Sequence, residues 1–386
     1  MIYANNAATT WPKPEPVYDA VMRSLRDVGV SVRSSSQAAP HGADALVELR
    51  AAVAGLLGAP DVSRLLFSPG CTHSLNQAIQ GLPWAAGDVI VMSGLEHHAV
   101  SRPVRKMARE RGARFEVSPY RPGMPFDLGW LEGVLRKGRV KLVATTMAAN
   151  VTGEILPSAE IVALAHRHGA LALLDGAQSA GVLDVNLKAL DCDLFAAAGH
   201  KGLFGPPGVG VLYVSPAAKL QLWAEGGTGR DTGKHEMAGV YPHSFEVGTH
   251  NVPAIAGLAA GARWVQERGR AWIHETEQAL CSRFLQGLDR IDGVTVYGTR
   301  EPAGRTSVVS LNLRGWNPRD LSAWLASTHD VTSRAGYHCA PLAHETIGSL
   351  PGPGTIRFSF GCFNTDAEVD TLLALLADAA RRPPKP

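Results

Sequence analysis

The apolar residues of this chain come in short runs that alternate with helical patterns between about residue 42 and residue 290. Runs this short, with apolar residues on both faces, are typical of strands buried inside a sheet. Because helices separate them, the pattern predicts a mostly parallel α/β sheet. Ligands of such sheets bind beyond the carboxyl ends of the strands. The predicted strands are RLLFS (64–68), DVIVMS (88–93), KLVATTM (141–147), ALALLD (170–175), DLFAAA (193–198) and GVGVLYV (208–214).

Two of the intervening helices have clear boundaries in the sequence. Gly58 is placed to end the first, because glycine readily adopts the left-handed backbone that closes a helix. The second, SAEIVALAHRHG, begins at Ser158, a residue type that caps helix N-termini. The apolar face of the first helix consists of Leu46, Leu49, Val53, Leu56 and Leu57.

The pattern changes after about residue 255. Two helical stretches run to residue 291, RTSVVSLNL and TIRFSF indicate strands, and DAEVDTLLALLADAA indicates a closing amphipathic helix with Asp366 as its N-cap. We expect a large domain of residues 14–255 and a smaller α+β domain formed by residues 1–13 and 256–386, with the terminal RRPPKP disordered.

Composition excludes several classes of protein. The 386 residues include 45% hydrophobic and 19% charged ones and carry a net charge of +2, which predicts no nucleic-acid partner and no membrane surface. The five cysteines are odd in number and form no C-x-x-C pair, so we expect neither a disulfide framework nor a metal site. The N-terminus lacks a basic region followed by an apolar stretch, and we therefore expect a cytoplasmic protein.

Two candidate site residues, a lysine and an aspartate, lie at the ends of predicted strands. Lys201 follows DLFAAA, where burial would lower its pKa and make its amine a nucleophile, although most lysines are solvated. Asp175 ends an apolar strand, where an unpaired carboxylate is costly, so a cation such as a protonated pyridine nitrogen would suit it. Gln178, on the next turn, could donate a hydrogen bond to a phenolate oxygen.

Two further junctions could contact a ligand. After RLLFS, the turn Ser-Pro-Gly leads into a helix beginning near Thr72, and the N–H groups of such a helix start suit a phosphate. Many such turns bind nothing. His97 and His98 are adjacent after another strand, so their side chains point differently, and one of them could stack on an aromatic ring.

The C-terminal part of the chain contains two further candidate site residues, a cysteine and a buried arginine. Cys339 lies beside His338 and near Arg334, surroundings that can make a cysteine a nucleophile. Arg357 lies on a strand among apolar neighbours and needs an anion, either a substrate carboxylate or a structural Asp or Glu. The four other cysteines are interpreted as small buried hydrophobes: Cys71, Cys192, Cys281 and Cys362.

Taken together and in this order, the motifs resemble the class V aminotransferase family, and within it the SUF-type cysteine desulfurase and selenocysteine lyase group. The resemblance implies fold type I of the pyridoxal phosphate (PLP) enzymes, a mostly parallel sheet in a large domain beside a smaller α+β domain. The segments that carry it are NNAATTWPKP, EHHAV, LLDGAQSAG, GHKG-x-x-GPPGVGVLYV, FEVGTHNVPAI, RAGYHCA and RFSFGCFNT.

The resemblance also implies roles for individual residues. Lys201 would hold PLP as a Schiff base and move the Cα proton, and Cys339 would carry a persulfide for a sulfur-acceptor protein. Thr249 would reach the phosphate of the other subunit, which implies a homodimer with shared active sites. The remaining implied roles are Asp175 at the pyridine nitrogen, Gln178 at the ring oxygen, His97 stacked on the ring, Thr72, His200 and the Cys71 backbone at the phosphate, and Asn150 with Arg357 at the substrate carboxylate; Arg334 is a further candidate for substrate binding.

The leading prediction is therefore a PLP-dependent desulfurase that converts L-cysteine to L-alanine. A selenocysteine lyase, a C–S lyase acting on cystine or a cysteine conjugate, a class V aminotransferase or epimerase, and a non-enzymatic partner subunit are the alternatives. The chain departs from the common family pattern at Asn5, His73, Ala198 and Tyr337.

Overall fold

The structure, a computed structural model, describes residues 1–27, 42–228 and 233–382. Arg381, the first residue of the tail expected to be disordered, is instead the last residue of the C-terminal helix, and the last four residues of that tail lie outside the described residues. The helices are α1 (Glu15–Asp27), α2 (Gly42–Leu57), α3 (Cys71–Gln80), α4 (His98–Arg111), α5 (Leu128–Leu135), α6 (Ser158–Arg167), α7 (Leu187–Leu190), α8 (Val252–Arg268), α9 (Arg270–Leu288), α10 (Pro318–His329), α11 (Pro341–Thr346) and α12 (Asp366–Arg381). The strands are β1 (Ile2–Tyr3), β2 (Leu65–Ser68), β3 (Val89–Met92), β4 (Arg114–Val117), β5 (Val140–Thr146), β6 (Leu171–Asp175), β7 (Leu194–Ala198), β8 (Gly210–Val214), β9 (Val294–Tyr297), β10 (Val308–Leu313), β11 (Val331–Thr332), β12 (Arg334–Gly336) and β13 (Thr355–Ser359).

A seven-stranded sheet in the order β2-β8-β7-β6-β5-β3-β4 forms the centre of the fold. The neighbouring strands from β7 to β4 run parallel, and β8 runs antiparallel to both of its neighbours. Alternate residues enter separate apolar layers: Leu65 and Phe67 pack on one face of the sheet and Leu66 packs on the other. The expected α/β sheet is therefore confirmed, with burial on both faces as its physical cause.

All six predicted strands are present, and the sheet has one more that the sequence pattern missed. Strand β4 pairs in parallel with β3 at the sheet edge, and its residues alternate between exposed and half-buried. A half-exposed edge strand lacks the continuous apolar run that identified the others. Its signal is the alternation in RFEV directly after α4.

Both N-cap predictions were wrong by one residue: each N-cap lies one position before the predicted residue. Helix α6 has Pro157 at its N-cap, and Ser158 is its first helical residue. Helix α12 is capped by Thr365, whose side chain accepts from the Glu368 amide while Glu368 reciprocates in a capping box. Gly58 follows α2 with a φ of 61°, the left-handed conformation expected for it.

A second sheet, antiparallel, has the order β12-β13-β10-β9 and packs with α9, α10 and α12 around a separate apolar core. The N-terminal strand β1 joins this part of the chain by pairing in parallel with β11. Helix α8 packs on α1 and α2 and contributes to the core of the large sheet, so the predicted boundary at residue 255 falls within a helix. The division into two domains stays a prediction.

Candidate functional site

A cavity of about 640 Å³ opens at the carboxyl edge of the large sheet. Strands β2, β3, β5, β6 and β7 all end towards it, and β13 approaches it from the second sheet. The topology therefore brings together residues that are far apart in the chain. Predicted site residues that line the cavity are Cys71, Thr72, His97, Asn150, Asp175, Gln178, His200, Lys201, Arg334 and Arg357.

Lys201 and Asp175 form the charged centre of this cavity. Lys201 follows β7, and burial lowers the pKa of its amine, while the nearby Asp175 carboxylate opposes that effect. Asp175 is 3% exposed and accepts a hydrogen bond from the Ala177 amide at 2.9 Å. Burial raises the pKa of Asp175, and the Ala177 hydrogen bond and the Lys201 charge oppose that rise.

Cys71 is half-buried and lines the cavity, which corrects the interpretation of its side chain as a small buried hydrophobe. It is the first residue of α3 and its thiol lies 3.5 Å from an Asp175 carboxylate oxygen. Burial raises the pKa of this thiol, and the Asp175 carboxylate raises it further. A neutral thiol there can donate a hydrogen bond to the carboxylate.

The start of α3 forms one end of the cavity. Gly70 is its N-cap and provides no side chain, so the first N–H groups are available to an anion. The backbone of strand β8 approaches closely: a Cβ on Gly210 would lie 2.6 Å from the Gly70 carbonyl carbon and 2.7 Å from the Cys71 nitrogen. Only glycine allows this approach. Thr72 and His73 line the same end, and the His73 ring contacts Trp223 edge-on at 4.6 Å.

The two adjacent histidines separate as expected. His97 lines the cavity and caps α4, because its Nδ1 accepts a hydrogen bond from the Ala99 amide at 3.0 Å. Burial lowers the pKa of His97 to about 3, and the Lys201 charge contributes, so this imidazole is neutral at neutral pH. His98 is the first residue of α4 and does not line the cavity, and its amide donates to the Cys339 carbonyl at 2.8 Å.

Arg357 and Arg334 make the opposite wall cationic. They face each other in the β12–β13 pair, and Arg357 is 1% exposed. Arg357 donates to the Asn150 carbonyl at 2.9 Å and to Asn5 Oδ1 at 3.4 Å, while its Nε has no partner. Burial, together with the neighbouring Arg334 charge, lowers the pKa of Arg357 to about 9. Among the described residues no Asp or Glu forms an ion pair with Arg357, so the structural-carboxylate alternative does not apply in this part of the chain.

Cys339 lies in the short loop between β12 and α11 and is exposed. His338 and Cys339 both have left-handed backbones, with φ of 48° and 58°. Arg334 donates a hydrogen bond to the Cys339 sulfur at 3.1 Å, and the Asn150 amide holds the His338 carbonyl at 2.9 Å. The loop thus presents the thiol beside the cationic wall.

Two predicted site residues, Cys339 and Thr249, are not among the residues that line the cavity. Gln178 lines the cavity, but its amide nitrogen donates to the Ala7 carbonyl at 3.0 Å. Thr249 is exposed and is not among the residues that line the cavity of its own chain.

Two charged residues that contact segments of the site, Glu96 and Lys13, were not predicted from the sequence. Glu96 is fully buried, accepts from Ser93 Oγ at 2.5 Å and from the Thr146 amide at 2.9 Å, and has its pKa raised to about 8 by burial. Lys13 reaches the carbonyl of His200 at 2.8 Å. Both lie in segments already noted, EHHAV and NNAATTWPKP, so their signal was a charged residue inside a recognised motif.

The cavity's chemistry fits PLP. Within the described ranges the buried Asp175 carboxylate forms no ion pair, and Lys201 is the cation whose charge acts on it. The uncapped start of α3 suits a phosphate, and Lys201 is an amine of lowered pKa. A metal is not indicated: among the residues that the structure describes, no cluster of three or more His, Cys, Asp or Glu could hold one. In the same residues no helix is long and apolar enough to cross a membrane.

The chain matches the family described as Aminotransferase class-V over residues 2–372. It therefore belongs to the class V aminotransferase family, as the motifs predicted. Its relatives include proteins named "Probable cysteine desulfurase" from Vibrio cholerae, 33% identical over 98% of this chain and 93% of the relative, and from Mycolicibacterium paratuberculosis, 34% identical over 97% of this chain and 54% of the relative. The chain thus spans about half the length of the second relative.

Solved structures confirm the fold. A cysteine desulfurase from Thermococcus onnurineus NA1, in its apo form, superposes with a TM-score of 0.91 at 32% identity, covering 98% of this chain and 94% of that one. The cysteine desulfurase CsdA (S-sulfonic acid) from Escherichia coli gives a TM-score of 0.85 at 28% identity, with the same coverage of 98% and 94%. The predicted fold type I is therefore confirmed.

Proposed function

We propose that this chain is a PLP-dependent cysteine desulfurase, which converts L-cysteine to L-alanine and leaves a persulfide on Cys339. The observation that carries the proposal is the placement of the Cys339 thiol, held by Arg334 at 3.1 Å beside the cavity that contains Lys201. The names of the relatives and of the solved structures support it.

The residues around the cavity have the chemistry to hold the cofactor. Lys201 would bind its aldehyde carbon, Asp175 its pyridine nitrogen, and Gln178 its ring oxygen. When bound, PLP supplies an electron-withdrawing ring that stabilises negative charge on the Cα of an amino acid. The remaining cofactor contacts would be the ring face against His97, and the phosphate against Thr72, His200 and the Cys71 backbone.

The cationic wall would orient the substrate. Arg357 has two donors held by Asn150 and Asn5 and an unpartnered Nε, so a substrate carboxylate would satisfy its charge. Asn150 and Arg334 lie beside it. This orientation directs the substrate's Cα towards Lys201, whose lowered pKa makes its amine able to take and return a proton at that carbon.

Sulfur transfer would take place at Cys339. The Cys339 thiolate attacks the substrate sulfur, an S–S bond forms, and the C–S bond breaks with its electron pair left on the substrate carbon. That carbon takes up a proton and becomes the methyl group of alanine. The balance is L-cysteine plus Cys339 thiol to L-alanine plus Cys339 persulfide, with no external oxidant. A sulfur-acceptor protein or small thiol would then remove the outer sulfur.

Association and location belong to the same proposal. Thr249 is exposed and outside its own cavity, which supports a homodimer in which it serves the partner's site. We also propose a cytoplasmic location, because five free cysteines suit a reducing compartment.

Product analysis tests the proposal. The chain is incubated with L-cysteine, PLP and a reducing thiol, and alanine, pyruvate and sulfide are measured together. Alanine and sulfide should form in equal amounts, Cys339→Ala should abolish both, and Cys192→Ala, at a buried cysteine away from the cavity, should retain them. Pyruvate in place of alanine would indicate a C–S lyase, and absence of a sulfur product an aminotransferase or epimerase. Faster turnover of selenocysteine that survives Cys339→Ala would indicate a selenocysteine lyase.

A further inference from the structure

Three side chains of the N-terminal segment converge on the main chain that carries Lys201. Thr9 Oγ1 donates to the His200 carbonyl at 3.0 Å, the Thr10 amide donates to it at 3.1 Å, and Lys13 Nζ donates to it at 2.8 Å. The Thr10 hydroxyl donates to the carbonyl of Lys201 itself at 3.0 Å. We call Thr9, Thr10 and Lys13 the N-terminal clamp.

Lys13 links the parts of this clamp. Its Nζ also donates to Thr10 Oγ1 at 2.7 Å, so a continuous chain of hydrogen bonds runs from the Lys13 ammonium through the Thr10 hydroxyl to the Lys201 carbonyl. Hydrogen bonds in such a chain polarise one another, and one that begins at a cation is stronger than a neutral one. Among the described residues Lys13 forms no ion pair with a carboxylate, so its donors are committed to this loop.

The same segment is held at its other end by the second sheet and by the Gln178 turn. The Ala7 amide donates to Ser359 Oγ at 2.8 Å, and the Ala7 carbonyl accepts from Gln178 Nε2 at 3.0 Å. Asn5 Oδ1 accepts from Arg357 at 3.4 Å. The segment is therefore fixed to the second sheet and the Gln178 turn at one end and to the Lys201 main chain at the other. A small displacement of the clamp would move the Lys201 backbone relative to the rest of the site.

We infer that the N-terminal clamp positions Lys201 for bond formation with the cofactor aldehyde, with Lys13 as the positioning residue; this inference rests on the proposed role of Lys201. The reaction of an amine with a bound aldehyde depends on their relative placement, and displacement of one partner lowers the effective concentration of the amine. The clamp bonds to the main chain of His200 and Lys201, and none of its three residues lines the cavity.

A pair of ligands separates positioning of Lys201 from general effects on the pocket. PLP carries an aldehyde that condenses with the Lys201 amine, whereas pyridoxine 5′-phosphate has the same ring and phosphate but an alcohol in place of the aldehyde. Dissociation constants for both are measured by titrating cofactor-depleted protein. Lys13→Met should weaken PLP binding by about tenfold, the scale of one lost charge-assisted hydrogen bond, and should change pyridoxine 5′-phosphate binding by less than about twofold.

The variants include a conservative rescue and a matched control. Lys13→Arg keeps a cationic donor and should recover most of the PLP affinity, and Lys188→Met, at an exposed lysine on α7, should bind both ligands as the parent does. If Lys13→Met does not fold, Thr10→Val, which removes the linking hydroxyl, is measured in the same way and should show the same selective loss.

Several binding results would contradict the positioning role of the N-terminal clamp. Equal weakening of both ligands, or no change in either, would overturn it, because a structural or phosphate-directed role would not distinguish the aldehyde from the alcohol. A parent protein that binds both ligands equally, and shows no covalent adduct after borohydride reduction, would instead overturn the proposed role of Lys201 and the clamp with it.

Discussion

Replacing Arg357 with methionine should make the chain more stable while it removes activity. Arg357 is 1% exposed, lies opposite Arg334, and donates two hydrogen bonds to residues that the structure describes. Arginine ordinarily has a pKa of about 12.5, so a value of about 9 in the folded chain corresponds to about 5 kcal/mol of unfavourable burial and repulsion by Arg334, at 1.36 kcal/mol for each pKa unit. The two lost hydrogen bonds are worth about 2 kcal/mol together.

The net gain expected for Arg357→Met is therefore about 1–3 kcal/mol in the free energy of unfolding, within the range seen when buried charges are replaced by apolar residues. It should be measured by urea unfolding of cofactor-free protein at neutral pH. Below about pH 9 the side chain is protonated in both folded and unfolded states, so the gain should not vary with pH there. Above that pH the folded chain loses the proton and the gain should shrink.

Activity should respond in the opposite direction. Loss of a bidentate partner for the substrate carboxylate should lower kcat/KM for L-cysteine by about 10- to 100-fold. Arg167→Met, at an exposed arginine on α6, serves as the matched control and should change neither quantity. A variant less stable than the parent by 1 kcal/mol or more (about fivefold in the unfolding equilibrium) would refute the reasoning, since it would mean that the Arg357 charge is already compensated in the folded chain.

Substitutions at Gly210, Asp175 and Glu96 should each alter stability or activity in a defined way. Gly210→Ala places a Cβ 2.6 Å from the Gly70 backbone, so it should lower the free energy of unfolding by about 1–3 kcal/mol and weaken PLP binding, measured by urea unfolding and cofactor titration. Asp175→Asn should lower kcat by at least about 100-fold while the protein still binds PLP, because an amide does not hold the pyridine nitrogen protonated; unchanged kcat would contradict this. Glu96 has a folded pKa of about 8 against an ordinary 4.5, so its stabilising contribution is full below about pH 4.5 and lost by about pH 8, and Glu96→Gln should abolish that part of the pH dependence of unfolding.

Much of the fold follows from local sequence patterns. The apolar runs identified β2, β3, β5, β6, β7 and β8 because a strand buried on both faces must be apolar along its whole length. The positions of Lys201 and Asp175 at the ends of such strands also follow, since the carboxyl edge of a parallel sheet collects them. The edge strand β4 and the N-caps of α6 and α12 could not be predicted in this way. Half-exposed strands and single-residue helix boundaries leave only weak patterns in the sequence.

The site's remaining features depend on contacts between distant parts of the chain. Thr9 and His200 are 191 residues apart, so their hydrogen bond depends on tertiary packing that brings the N-terminal segment to the loop after β7. The sequence by itself determined that Arg357 would be buried and would need an anion. Only the tertiary structure decided that Asn5 and Asn150, rather than an acidic residue, lie against it. The physical reason is that the burial of a strand residue is encoded by its neighbours along the strand, whereas its partner across a cavity is set by how separate elements pack.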